Sequence, residues 1–296
     1  MVQRPLGNHL DGPDTLLVTS DTTQPGTDTD KSTSTSTSRS TGTDTGDATG
    51  TDTGTGTGAD TGSPLADLVA RAKVVLWDFD GPICRLFAQH SARLVADDLV
   101  RWLARQGLHG LLTEDERTSV DPHFVLRAVD HRHPGSDLVT ELEERLTKEE
   151  HKAAASAMPT PYADPLIRTW TALGSRMAIT TNNSPLVVHE YLAGRGLLSC
   201  FAPHLYGRTR DLHRLKPDPH CLNRALNTMG SAPENALMIG DTPTDCAAAK
   251  KAGVRFLGYA RNAYKEKRLR DAGATDVVGS LKPLLEAVRA AATPRP

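Results

Sequence analysis

The chain has 296 residues, with 34 Lys and Arg against 36 Asp and Glu, so its formal net charge is only −2. It shows no apolar run near the amino terminus that is long enough for a signal or membrane segment, and no basic stretch interleaved with aromatic residues for nucleic acid. Its four cysteines, Cys84, Cys200, Cys221 and Cys246, have no paired spacing. We therefore predict a cytoplasmic protein with reduced thiols that binds neither nucleic acid nor membrane.

The first 63 residues differ in composition from the rest of the chain. Residues 27–62 are nearly all Thr, Ser, Gly and Asp, and such a segment buries too little apolar surface to offset its ordering entropy. We predict a disordered tail over 1–63 rather than calcium loops, because the acidic spacing and terminal Glu of a calcium-binding hand are missing. Without this tail the chain has 31 basic and 27 acidic residues, a net charge of +4 that suits an anionic small substrate.

The stretch Lys73–Pro82 predicts a buried strand that ends in a functional site. The apolar run before Asp78 lacks polar alternation, which is typical of a parallel strand covered on both faces. Asp78 and Asp80 follow at the carboxyl end, where open parallel sheets bind their ligands. Residues at i and i+2 project to one side, so the two carboxyl groups share a small volume that favours a cation or a proton. Taken alone, the motif is equally compatible with a turn that merely ends the strand.

Helical periodicity follows from about Leu86 to Met158, in three segments with no convincing strand between them: Ala92–Arg105, Phe124–Val129 and Leu138–Ala155. From Tyr162 onward helices and strands alternate, which favours a parallel sheet with helices on both faces. The predicted strands are Arg176–Thr181, His204–Tyr206, Ala236–Gly240, Arg255–Tyr259 and Asp276–Val278. We predict an α/β protein with a three-layer Rossmann-like core, from residues 64–85 and 162–296, and an all-helical insertion over 86–161.

Polar residues in the second half of the chain are placed where they can meet the two aspartates. Thr181 and Asn182 end a strand just before a helix, where a hydroxyl and free N–H groups make either an anion site or a simple cap. Lys216 lies in a loop stiffened by two prolines and offers a fixed cation for a phosphoryl group. A lone surface lysine is the alternative for Lys216 considered by itself.

A second acidic motif follows the strand Ala236–Gly240. Asp241 ends this apolar strand and offers a hard oxygen ligand for magnesium at the same edge of the sheet. Asp245 is the third position after Thr242, where an acidic residue caps the helix and stabilises its dipole. Metal support and pure capping both stay open for Asp245.

These stretches, in this order, resemble the four motifs of the haloacid dehalogenase superfamily: Asp78-Phe-Asp80-Gly, Thr181-Asn182, Lys216-Pro-Asp-Pro and Gly240-Asp241-x-x-x-Asp245. The resemblance covers about residues 66–292. It is closest to the branch with a helical C1-type cap inserted after the first motif, which includes phosphoglycolate phosphatases and β-phosphoglucomutases. The insertion over 86–161 would then be this cap.

The resemblance implies a catalytic role for both aspartates of the first motif. Asp78 would be the nucleophile that forms an aspartyl-phosphate, and Asp80 the general acid and base. A magnesium ion would be held by Asp78, the backbone carbonyl of Asp80 and Asp241, with Asp245 completing the predicted metal site. This is the only cofactor that the resemblance implies.

The same resemblance implies that the phosphoryl oxygens are bound by Thr181, Asn182 and Lys216. We therefore predict a magnesium-dependent phosphatase, a monomer or homodimer, that hydrolyses a small phosphorylated metabolite. A mutase that passes the phosphoryl group to a sugar is the nearest alternative, and a non-catalytic binding protein on the same fold is the other. Substrate choice is expected in the cap, whose polar residues include His90, Arg93, Arg132 and His133; these stay outside the predicted site because such residues are more often solvated.

Overall fold

A computed structural model describes residues 64–292, so the predicted tail over 1–63 lies outside the described residues. The strands are β1 (Val74–Trp77), β2 (Cys84–Arg85), β3 (Met158–Pro159), β4 (Arg176–Thr180), β5 (Leu205–Tyr206), β6 (Ala236–Gly240), β7 (Arg255–Tyr259) and β8 (Asp276–Val278). The helices are α1 (Pro64–Arg71), α2 (Ala92–Arg105), α3 (Glu114–Arg117), α4 (Pro122–Arg132), α5 (Asp137–Ala155), α6 (Ala163–Ala172), α7 (Pro185–Gly194), α8 (Leu198–Phe201), α9 (His220–Met229), α10 (Pro243–Ala252), α11 (Ala263–Asp271) and α12 (Lys282–Ala292).

Six of these strands form one parallel sheet in the order β5-β4-β1-β6-β7-β8. The central strand β1 pairs with β4 on one side and β6 on the other, so that Leu76 lies between Ala178 and Met238. Because all strands run the same way, the residues that follow β1, β4 and β6 meet at one edge. The predicted α/β fold is confirmed.

The side chains of strand β1 point alternately into two apolar layers, one on each face of the sheet. Val75 and Trp77 belong to the buried cluster on one face of the sheet, and Val74 and Leu76 to the cluster on the other. All four are fully buried, which explains an apolar run without polar alternation. Each such side chain contributes about 1.5–3 kcal/mol of burial free energy. The strand that carries the first motif is therefore rigidly held from both sides.

The inserted helices form a third apolar cluster of their own. Trp102, Leu126 and Leu142 pack together in it, from α2, α4 and α5 respectively. Leu212 and Leu215, in the segment that leads to Lys216, belong to the same cluster. The insertion therefore packs directly against the segment that carries the predicted phosphate-binding lysine.

Some short or polar elements, among them β2, β3, α8 and α11, are not among the predicted ones. The two-residue strands β2 and β3 pair antiparallel, with Arg85 opposite Met158. The sequence predicts only helices between Leu86 and Met158 and gives no indication of this pair. These strands are too short to give a periodic pattern. Helix α11 is not predicted either, because among its nine residues only Leu269 is buried and the others give no apolar stripe. None of the helices within 64–292 is both long and apolar enough to span a bilayer.

Candidate active site

Asp78 and Asp80 lie directly beyond β1, as the sequence predicts. The N–H of Asp78 donates to the carbonyl of Ile239 in the neighbouring strand β6 (2.9 Å). The N–H of Leu86 donates to Asp80 Oδ1 (2.8 Å). Burial raises the pKa of Asp80 to about 6; the Leu86 hydrogen bond opposes this shift and the nearby Asp78 charge adds to it. A carboxyl group whose pKa lies this close to neutral pH is suited to acid–base catalysis.

Gly81 permits the close approach of the two acidic motifs. Its φ of +127° is a conformation that side chains rarely adopt, and a Cβ at this position would lie 2.3 Å from Cγ of Asp241. The carboxyl group of Asp241 therefore occupies the space that any side chain at position 81 would need.

Lys216 is a buried cation bonded to the predicted nucleophile. Its Nζ donates to Asp78 Oδ1 (2.8 Å) and to the carbonyl of Thr180 (2.9 Å), and it lies 2.5 Å from Asp245 Oδ1. Burial alone would lower the pKa of Lys216, but the carboxylates of Asp245 and Asp78 raise it above the usual range. Lys216 is thus a fixed positive charge and not the solvated surface lysine of the alternative interpretation.

Asn182 connects the two stretches that are predicted to bind phosphate. The N–H of Lys216 donates to Asn182 Oδ1 (2.8 Å), and Asn182 Nδ2 donates to the carbonyl of Lys216 (3.2 Å). The Thr181 hydroxyl donates to Asn183 Oδ1 (3.0 Å) and accepts from the Asn183 N–H (3.2 Å). These two bonds stabilise a local turn and hold the hydroxyl at the site. All three predicted phosphate-binding residues therefore lie together with Asp78.

Asp245 is placed for both of the roles that the sequence leaves open, capping of a helix and support of a metal ion. Its Oδ2 accepts hydrogen bonds from the N–H groups of Asp241 (3.1 Å) and Thr242 (3.0 Å) and from the Thr242 hydroxyl (2.7 Å), completing a capping box at the start of α10. Its Oδ1 faces Lys216 instead. One carboxylate oxygen caps the helix and the other belongs to the charged cluster.

Lys265 is a site residue that sequence analysis misses. It lies on α11 and forms a short ion pair with Asp241 Oδ2. The signal that could have indicated it is its position shortly after β7, at the same edge of the sheet as Asp241. The other oxygen, Asp241 Oδ1, is buried and has no hydrogen-bond partner among residues 64–292.

Three carboxylates fit a divalent cation. Asp78, Asp241 and Asp245 each offer one oxygen, and these oxygens lie within 4.8 Å of one another. Burial and the neighbouring carboxylates raise the pKa of Asp78 to about 6 and that of Asp241 to about 7. The orphaned oxygen of Asp241 and the crowded negative charge both suit a cation that prefers oxygen ligands. The side chain of Asp80 is outside this group of three.

A buried ion pair joins the insertion to the loop after β5. Glu150 of α5 accepts two hydrogen bonds from the Arg208 guanidinium (2.8 and 2.9 Å), and both side chains are fully buried. Glu150 also accepts from Asn183 Nδ2 and from the N–H of Ser184, each at 3.0 Å. The Ser184 side chain makes no capping hydrogen bond at the start of α7. Glu150, from helix α5, instead accepts a hydrogen bond from a backbone N–H at this end of the helix.

Two adjoining cavities open at this edge of the sheet. The first, of about 690 Å³, is lined by residues that include Asp78, Thr181 and Lys216 from the sheet and His123 and Arg127 from α4; we call it the nucleophile cavity. The second, of about 500 Å³, is lined by residues that include Gly81, Arg85, Arg93 and Arg261; we call it the arginine cavity. Three polar residues line both cavities: Asp80, Asp241 and Lys265.

Comparison with known proteins places the chain in a family. The family model of haloacid dehalogenase-like hydrolases matches residues 72–253. The phosphoglycolate phosphatase of Rhodospirillum rubrum is 30% identical over 203 residues, which are 64% of this chain and 81% of that protein. The phosphoserine phosphatase of Thermus thermophilus is 36% identical over 96 residues, which are 32% of this chain and 38% of that protein.

Solved structures show the same fold. A β-phosphoglucomutase-like protein from Bacteroides vulgatus has a TM-score of 0.56 at 17% identity, over 77% of this chain and 97% of that one. At this identity the likeness concerns the fold alone. The match of the family model and the relation to the Rhodospirillum enzyme carry the assignment: this chain belongs to the haloacid dehalogenase-like hydrolase family and is a phosphatase of that family.

Proposed function

We propose that this protein is a magnesium-dependent phosphatase that hydrolyses a small phosphorylated metabolite through an aspartyl-phosphate on Asp78. The observation that carries the proposal is the hydrogen bond of Asp78 to the buried cation Lys216, with Asp80 lining the same cavity. A nucleophile, a positive charge for the phosphoryl oxygens and a proton-bearing acid are thereby within one site.

The proposed hydrolysis has two steps, transfer of the phosphoryl group to Asp78 and hydrolysis of the aspartyl-phosphate. A carboxylate oxygen of Asp78 attacks phosphorus, the bond from phosphorus to the leaving oxygen breaks, and Asp80 gives its proton to that oxygen. Asp80 then takes a proton from water, the hydroxide attacks phosphorus, and the bond from phosphorus to Asp78 breaks. The products are an alcohol and inorganic phosphate, and both aspartates return to their starting states.

The remaining residues bind and neutralise the phosphoryl group. Lys216 offers its Nζ, and Thr181 and Asn182 line the same cavity just before α7 begins. Mg²⁺, held by Asp78, Asp241 and the backbone carbonyl of Asp80 with Asp245 beside them, would neutralise phosphoryl oxygens and polarise phosphorus. In this proposal residues 86–161 are the cap domain, which keeps bulk water from the site.

The named relatives suggest the substrate to test first. One is named for phosphoglycolate and another for phosphoserine. In both compounds the phosphate is esterified to the hydroxyl group of a small carboxylic acid. We take 2-phosphoglycolate as the first candidate substrate.

The test measures inorganic phosphate released from 2-phosphoglycolate by the full chain, with Mg²⁺ and with excess EDTA. We expect release that stops in EDTA and returns when Mg²⁺ is restored. The Asp78→Asn variant should release phosphate at least 10³-fold more slowly, whereas Asp115→Asn, an exposed change on α3, should match the wild type. Full activity in EDTA would contradict the metal requirement, and full activity of Asp78→Asn would contradict the nucleophile.

A further inference from the structure

The two cavities divide the site according to chemical role. Asp78, the proposed nucleophile, lines the nucleophile cavity but not the arginine cavity, whereas Asp80, the proposed acid, lines both. The leaving oxygen must receive its proton from Asp80, so it lies where the cavities meet. If the proposed function holds, the rest of the leaving group extends from this point into the arginine cavity.

Three guanidinium groups from different parts of the molecule surround that cavity. Arg85 lies on β2, Arg93 in the first turn of α2, and Arg261 just after β7. Within residues 64–292, none of the three forms an ion pair with a carboxylate. Arg85 donates to the Met158 sulfur (2.9 Å), and neither Arg93 nor Arg261 has a hydrogen bond or ion pair with any other residue that the structure describes.

Several other arginines in the described part of the chain are paired with carboxylates. Arg71, Arg101, Arg117, Arg195 and Arg208 each form an ion pair with an Asp or Glu. The fourth cation of the cavity, Lys265, is already engaged by Asp241. The three guanidinium groups outnumber the carboxyl groups of Asp80 and Asp241 that line the same cavity of about 500 Å³, so the local charge favours an anion. Guanidinium groups bind carboxylate and phosphate groups through two parallel hydrogen bonds.

We infer that the arginine cavity binds a second anionic group, carboxylate or phosphate, on the leaving group of the substrate. Arg93 and Arg261 are the residues that hold this group, one from the insertion and one from the sheet edge. The inference rests on the proposed function and specifies its substrate class as monoesters whose alcohol is itself an anion. Because the anion contacts both parts of the molecule, its binding also selects the arrangement in which the insertion lies over Asp80.

The test compares 2-phosphoglycolate with ethyl phosphate, which has the same ester but lacks the carboxylate. The readout is the ratio of the two kcat/KM values. We expect the wild type to favour 2-phosphoglycolate and the ratio to fall at least tenfold in Arg93→Gln and in Arg261→Gln. Arg105→Gln is the matched control, since Arg105 is exposed on α2 and lines neither cavity. An unchanged ratio in both cavity variants would overturn the inference.

A third ester identifies the anion. Ethane-1,2-diyl bisphosphate carries a second phosphate on the two-carbon leaving group in place of the carboxylate of 2-phosphoglycolate, and whichever of the two has the higher kcat/KM identifies the preferred group. Wild-type kinetics in which neither exceeds ethyl phosphate would overturn the inference.

Binding separates a failure of this inference from a failure of the proposed function. If the wild type releases no phosphate from any ester, the proposed function is contradicted. Calorimetric titration of 2-phosphoglycolate into the Asp78→Asn protein still reports on the arginine cavity, because it needs no turnover. Adding Arg93→Gln or Arg261→Gln in this background should weaken the Kd at least tenfold, and equal Kd values would overturn the inference.

Discussion

Lys216 Nζ donates a hydrogen bond to Asp78 Oδ1 at 2.8 Å, although the two residues are 138 positions apart in the chain. The bond is possible because β1 lies in the middle of the sheet and because Leu212 and Leu215 anchor the lysine segment in the apolar cluster of the insertion. Asp245 shares the same ammonium group. This relationship connects the first, third and fourth motifs in one buried ion cluster.

We predict that Lys216→Met lowers kcat for phosphate release about 10²–10³-fold, because a buried positive charge next to the reacting group is lost. Circular dichroism should show a folded protein, since Met matches the length of the lysine stem. Lys267→Met is the control, since Lys267 is exposed on α11 and pairs with Asp271 away from the site. A loss of less than tenfold for Lys216→Met would show that Lys216 does not stabilise the transition state.

The second prediction concerns the glycine that faces Asp241. Gly81→Ala should abolish most of the phosphatase activity, by about 10²-fold or more, because the new Cβ would overlap the Asp241 carboxyl group. Gly107→Ala is a matched control, since Gly107 also has a positive φ (+79°) but no atom within 4 Å of a built Cβ. Both variants place a side chain at a positive φ, but only Gly81→Ala adds a clash with Asp241. Equal activities of the two variants would contradict this account of Gly81.

The main features of this site could be predicted from the sequence because they are local. Asp78 and Asp241 each end an apolar strand, and parallel strands bring their carboxyl ends to one edge. Lys265 could not be predicted in the same way, because α11 has no apolar stripe to reveal it. Glu150 and Arg208 are 58 residues apart in the chain, and neither belongs to a motif that would indicate its partner. Their pairing depends on how α5 packs against the loop after β5, which is tertiary information.

The third prediction tests that buried pair. Glu150→Ala should lower the free energy of unfolding by about 3–5 kcal/mol, because the buried Arg208 guanidinium loses its fully buried partner and keeps only the partly exposed Glu143. It should also raise the KM for 2-phosphoglycolate, since Glu150 holds the Asn183 and Ser184 loop beside Thr181. Glu144→Ala, an exposed change on the same helix, should alter neither quantity. Chemical denaturation measures the stability, and a loss below 1 kcal/mol would contradict a structural role for the pair.

The fourth prediction concerns the pH dependence of stability through His123. Burial would lower its pKa, but Asp121 and Glu150 raise it to about 9, above the usual value near 6.5. The raised value means that His123 stabilises the folded state fully below about pH 6.5 and that this contribution is lost as the pH rises toward 9. The stability difference between wild type and His123→Gln should therefore shrink by roughly 2–3 kcal/mol between pH 6 and pH 9.5.

Urea denaturation of both proteins across this pH range measures that difference. His131→Gln serves as the control, because His131 lies on the same helix α4 and has no contact with Glu150. A difference that stays constant with pH would contradict the charged state of His123. It would indicate a neutral imidazole that accepts a hydrogen bond from Arg208, whose Nη1 lies 3.3 Å away.

The most direct test of the central claim follows the phosphoryl group itself. The full chain is mixed with ³²P-labelled 2-phosphoglycolate and Mg²⁺, quenched in acid within milliseconds, digested, and the labelled peptide is identified by mass spectrometry. We predict that the label lies on Asp78 in the quenched wild-type protein, is absent from Asp78→Asn, and ends as inorganic phosphate even when a hexose phosphate is present. Label on another residue, or label that ends in a sugar bisphosphate with little free phosphate, would contradict the proposed phosphatase.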